Sequence, residues 1–177
     1  IYMTAQQHNA AGIGWLAIAR LGAVQAAIGS IVMLATSLLN RVMVVEYAVG
    51  ASVPAALIAW HYGVQLSRPL WGHNSDRSAY RSSWIIGGLG VLALGTMISV
   101  DATIMMASGG IVPIILAIVG FSMIGLGVGM SGTALRALLA SRVSVTRKPA
   151  AAAISWTMMV AGIVVAAGVS GSYLDPF

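Results

Sequence analysis

Five apolar runs of about 20 residues, each free of Asp, Glu, Lys and Arg, dominate this sequence: Leu21 to Leu39, Tyr47 to Leu66, Trp84 to Val100, Ile111 to Leu135 and Ala150 to Val169. A helix of that length crosses roughly 30 Å of hydrocarbon, and it satisfies its backbone polar groups internally, which lipid cannot do for it. The expected fold is therefore all-α, a polytopic membrane bundle of five transmembrane helices over residues 21–177 behind a polar, interfacial segment at residues 1–20. Composition agrees: 7% of residues are charged, against roughly 25% in a soluble domain.

The few charges are sorted. With connections assigned alternately to the two sides of a bilayer, Arg20, Arg68, Arg77, Arg81, Arg136, Arg142, Arg147 and Lys148 share one side, and of the basic residues only Arg41 lies on the other. Basic residues mark the cytoplasmic face, so the N-terminus is expected there. The net charge of +5 is too thinly spread for a nucleic-acid groove, and no nucleic-acid partner is expected. The lipid bilayer is the first expected partner. Absence of cysteine removes disulfides, thiolate metal sites and cysteine nucleophiles. His8, His61 and His73 have no metal-ligand spacing, so no metal site is expected. Neither a Ser-His-Asp set nor paired carboxylates share a water-facing site, and the chain is read as not an enzyme.

Glycine is abundant within the runs, at Gly87, Gly88, Gly90 and Gly95 and again at Gly120, Gly125, Gly127, Gly129 and Gly132. Small residues let helices approach closely in lipid, so these faces are expected to pack, with Gly125, Gly129 and Gly132 as the packing positions. Gly127, Gly129 and Gly132 also spell a dinucleotide-type glycine pattern, but it falls inside an apolar helix and lacks the preceding strand that such a site requires.

His61 lies within the second run, where a neutral imidazole suits the magnesium of a chlorophyll. The competing reading is a histidine hydrogen-bonded to Gln25 or Gln65. Trp60 beside it is read either as an interfacial anchor or as a stacking surface for a flat pigment. Deep carboxylates are missing from every run, which argues against proton coupling in this part of the molecule.

Between the second and third runs stands Arg68-Pro-Leu-Trp-Gly72-His-Asn-Ser-Asp76-Arg77-Ser-Ala-Tyr-Arg81. Glycine, an acid four residues on, then bases: this resembles the loop signature of the major facilitator superfamily. Gly72, Asp76, Arg77 and Arg81 are its matching positions, and the resemblance implies a conformational latch. Ala79 and Tyr80 depart from the usual pattern, which carries a second glycine and often a base there.

A closer likeness covers nearly the whole chain. Leu39-Asn-Arg-Val-Met43 with Glu46, Trp60-His-Tyr-Gly-Val-Gln65, Trp71-Gly-His73, Trp84-Ile-Ile-Gly-Gly88 and Arg147-Lys-Pro-Ala150 resemble the PucC-type proteins, the bacteriochlorophyll-delivery branch of that superfamily. The resemblance implies an assembly factor or accessory subunit for light-harvesting complexes. Its partners would be light-harvesting polypeptides and the reaction centre, its cofactor bacteriochlorophyll or a carotenoid, and its location the bacterial inner, intracytoplasmic photosynthetic membrane. Superfamily members carry about twelve spans, so this chain corresponds to an N-terminal portion. The superfamily loop alone supports an alternative, a secondary transporter of a small solute. A third possibility is a permanent subunit kept for its lateral contacts.

Overall fold

A computed structural model describes residues 12–77 and 80–174, with the side chains of Asp76 and Arg77 outside the description. Helix α1 begins at Trp15 and runs to Glu46 as one helical span of 32 residues. Its first part, Trp15–Met33, is α-helical, and π-turns at Leu34–Leu38 and Val42–Glu46 flank a short α-segment. Helix α2 is Ser52–Val64, a 3-10 turn at Gln65–Ser67 follows, and α3 is Arg68–Arg77. Helix α4 is Arg81–Met105, α5 is Ile111–Arg142 and α6 is Lys148–Leu174. Helices make up nearly all of the described chain, and the all-α expectation holds.

The number of spans differs from the expectation. Among the described residues, four helices are long and apolar enough to cross a membrane: Trp15–Glu46, Arg81–Ser108, Ile111–Arg142 and Val145–Leu174. The second expected run, Tyr47 to Leu66, is helical only from Ser52, and its α-helix has 13 residues. The cause is local chemistry. Trp60, His61, Tyr62 and Gln65 dilute the apolarity of the run, and the 3-10 turn passes it into the polar helix α3. The first run, by contrast, is longer than expected at both ends. It takes in Arg41, whose Nη2 donates to the Leu174 carbonyl at 3.3 Å, closing the C-terminal end of α6.

Helix α5 is the centre of the bundle. On one side it lies along α4, with Ile85, Leu92, Ala134 and Leu135 buried at the contact. On another it meets α2 and α3, where Leu57, Ala117 and Phe121 are buried. Helix α6 packs chiefly on α1. The basic end of the bundle is stapled by the entry to α1: Ile13 N donates to Arg142 O at 2.9 Å, and the Arg147 guanidinium lies 5.6 Å from the ring centroid of Trp15, the first residue of α1, a cation–π contact.

Three buried hydroxyls inside the helices are satisfied locally. Ser99 Oγ donates to Gly95 O at 2.8 Å, Thr103 Oγ1 to Ser99 O at 2.7 Å and Ser131 Oγ to Gly127 O at 2.6 Å. Each hydroxyl returns to the carbonyl one turn back, so none of the three demands a ligand.

Candidate functional site

The α4–α5 contact shows why glycine is needed. A Cβ added at Gly88 would lie 2.6 Å from Ser131 N, and one added at Gly127 would lie 2.6 Å from Leu92 N. The backbones touch at these points, and any side chain would push the helices apart. Gly87 and Gly90 face open space, because α4 meets α5 along one face only, where Gly88, Leu92, Gly95 and Ser99 recur at intervals of three to four residues.

The three positions singled out by sequence divide. Gly125 packs against α2, where an added Cβ would sit 2.8 Å from His61 O. A Cβ added at Gly129 would lie 3.2 Å from Trp71 Cδ1. At Gly132 the nearest atom is Arg136 Nη2 at 3.7 Å on the same helix, so no second helix meets it closely. Which neighbour each glycine meets depends on the face it occupies, which the glycine pattern alone does not specify.

Trp60 and His61 also part company. Successive residues on a helix point about 100° apart, so these two serve different surroundings. His61 turns inward and is fully buried. Its Nε2 lies 2.6 Å from Gln65 Nε2; the amide N–H is the donor, which leaves the ring proton on Nδ1. Nδ1 is buried and has no hydrogen-bond partner among the described residues, although the Phe121 backbone lies close by. Of the two sequence readings of His61, the hydrogen-bonded one matches this geometry, since no face of the ring is open to a macrocycle. Trp60 is 52% exposed and its Nε1 donates to Ser122 Oγ at 2.7 Å. With Val53, Leu57, Ile114 and Ile118 it lines an apolar groove of about 480 Å³ between α2 and α5.

Below His61 a polar ladder descends to the basic end. Gln65 Oε1 accepts from Arg68 Nη2. Burial, and next the charge of Arg136, lower the Arg68 pKa from its ordinary value. Trp71 Nε1 donates to Ser67 Oγ at 2.9 Å, and its ring lies 6.1 Å from that of Trp84, joining α3 to the start of α4. Sequence reading named Gln65 only as one partner for His61; its spacing of i, i+4 from His61 and i, i+3 to Arg68 is the signal that marks the ladder.

The superfamily loop takes a different form from the one expected. Gly72 is in the interior of α3 and not at a helix end, and an added Cβ would meet Thr133 Cγ2 at 3.3 Å. Asp76 and Arg77 fall on the last residues of α3, with side chains outside the description. Arg81 opens α4 and its Nη1 donates to Ser141 Oγ at 2.8 Å and to Ala137 O at 3.5 Å, on the last turns of α5. The motif thus bridges α3, α4 and α5 at the basic end. Among the described residues no cluster of His, Asp or Glu is placed to hold a metal ion.

A family profile described as "PUCC protein" matches residues 38–177. The chain is similar to the "Bacteriochlorophyll synthase 44.5 kDa chain" of Rhodobacter capsulatus, at 47% identity over 93% of this chain and 39% of that protein. It is also similar to an "Uncharacterized protein in puhA-bchM intergenic region" of the same organism, at 33% identity over 89% of this chain and 35% of the other. "Protein PucC" of that organism is 29% identical over 89% of this chain and 37% of its own length. The chain therefore spans little more than a third of the relatives it matches. No solved structure matches it.

Proposed function

The chain belongs to the PUCC protein family, and from that membership we propose that it is a non-catalytic membrane scaffold serving the assembly of bacterial photosynthetic complexes. Its partners in this reading are light-harvesting polypeptides and the reaction centre, and its location is the photosynthetic inner membrane. Bacteriochlorophyll or a carotenoid is its pigment. The observation that carries the reading is the family match over residues 38–177, joined by 47% identity to a relative with bacteriochlorophyll in its name. That relative's name also contains an enzyme term, and the non-catalytic assignment is part of the proposal.

Pigment contact is assigned to the Trp60 groove and not to His61. An open apolar groove with one aromatic wall suits a flat ring or a polyene. The motif from Gly72 to Arg81 is assigned a latching role between α3, α4 and α5, resting on the two Arg81 hydrogen bonds to α5.

The test is affinity purification from photosynthetic membranes, read by far-red absorption and by partner bands on a gel. Antenna or reaction-centre chains at fixed stoichiometry are expected for a subunit, and the same chains at low, variable yield for an assembly factor. A preparation without pigment or photosynthetic partners contradicts the proposal. So does conversion of a supplied bacteriochlorophyll precursor by the purified protein, which would restore the enzyme reading.

A further inference from the structure

A second cavity, of about 420 Å³, lies between α1, α5 and α6 at the basic end. It is separate from the Trp60 groove and shares no residue with it. Its wall carries two cations, Arg136 from α5 and Lys148 from the first position of α6, and neither has a hydrogen-bond or ion-pair partner among the described residues. The wall also carries Gln25 of α1, only 5% exposed, whose Oε1 is buried without a partner and whose Nε2 reaches only the weak acceptor Met159 Sδ at 3.1 Å. The rest is apolar or aromatic, with Leu139, Ala151 and Trp156 prominent.

These features specify an occupant. Two cations that approach one cavity without a carboxylate between them are stabilised by an anion. A buried amide oxygen without a donor is unfavourable, and a hydroxyl beside the anion supplies that donor. Apolar walls between membrane-spanning helices suit a hydrocarbon tail, and basic pockets between helices on the cytoplasmic side suit lipid headgroups. We infer that the α1–α5–α6 cavity binds an anionic amphiphile with a hydroxyl-bearing phosphate head, of the glycerophosphate class, its phosphate between Arg136 and Lys148 and its hydroxyl on Gln25 Oε1. The occupant is a lipid and not free phosphate, because the tail fills the apolar part of the site.

The experiment uses the full chain, purified in detergent, stripped of lipid and returned to nanodiscs of either phosphatidylcholine alone or phosphatidylcholine with phosphatidylglycerol. Native mass spectrometry then counts lipids retained after mild activation. One phosphatidylglycerol is expected to persist, and the paired substitution Arg136→Gln with Lys148→Gln is expected to reduce its retention about thirty-fold. Ala152→Trp, which fills the cavity and keeps both cations, is expected to reduce retention comparably, with unchanged helix content by circular dichroism. Inorganic phosphate added alone is expected to leave thermal stability unchanged. Equal retention by the wild type and both variants overturns the assignment. Stabilisation by inorganic phosphate equal to that by the lipid overturns the amphiphile and assigns the site to a free anion.

Discussion

Helices α5 and α6 look alike by hydropathy and play opposite parts in the bundle. Their most apolar stretches have mean hydropathies of 2.5 and 2.0, yet 44% of the first is buried within the protein and only 6% of the second. In water such a difference would follow from the pattern of apolar residues. In lipid, tails are as apolar as leucine, so hydropathy cannot distinguish a helix facing its neighbours from one facing the bilayer. What separates the two is where small residues fall. Helix α5 places Gly120 and Gly127 against the α4 backbone and Gly125 against α2, while α6 meets a neighbour closely at Gly162 against Ala26 of α1, and its Gly168 and Gly171 have nothing within 4 Å. Contact geometry, and not apolarity, makes α5 the centre.

The comparison breaks most visibly at Gly127. Gly127→Leu forces the α4 and α5 backbones apart where an added Cβ already lies 2.6 Å from Leu92 N. The expected cost is about 3 kcal/mol or more, read as loss of folded, monodisperse protein in detergent and a large fall in thermal midpoint. A smaller effect is expected at the ladder. Gln65→Leu removes the acceptor of Arg68 and the donor to His61, while Arg68 Nε is already buried without a partner. Destabilisation of about 1–3 kcal/mol is predicted, and Gln65→Glu should recover much of it by keeping an acceptor for the guanidinium. The smallest effect belongs to α6. Gly168→Leu meets open space and is expected to move stability by no more than about 0.5 kcal/mol. If Gly168→Leu cost as much as Gly127→Leu, α6 would be packed on a face that this account leaves open.

Because the chain has no cysteine, single introduced thiols report on the same contrast without a background. A nitroxide label on a cysteine at Val165, 64% exposed, should collide freely with oxygen dissolved in the lipid, and one at Ile124, fully buried, should be shielded from it. Similar collision rates at the two positions would remove the distinction between centre and periphery.

Much of this architecture was legible from residues alone. The apolar runs located α1, α4, α5 and α6, because a charge-free stretch of about 20 residues has few other fates. The Tyr47 to Leu66 run falls short in apolarity, because its aromatic and amide residues count weakly in a search for missing charge but strongly in mean hydropathy. His61 and Trp60 were read together as neighbours in sequence, although a helix turns them apart. Which glycine meets which helix depends on the rotation of each helix about its axis, and that is fixed only by packing. Gln25 and Lys148 lie 123 positions apart in the sequence, so their shared cavity had no local signature. Asp76 and Arg77 were chosen from motif resemblance, and their side chains lie outside the described residues.

The central claim, that this PUCC-family chain serves photosynthetic complex assembly, is tested most directly by near-infrared absorption of membranes from a strain lacking its gene, grown under photosynthetic conditions. The account predicts a clear loss of antenna or reaction-centre bands relative to total membrane protein, restored by the gene supplied in trans. Bands unchanged in position and height would contradict it.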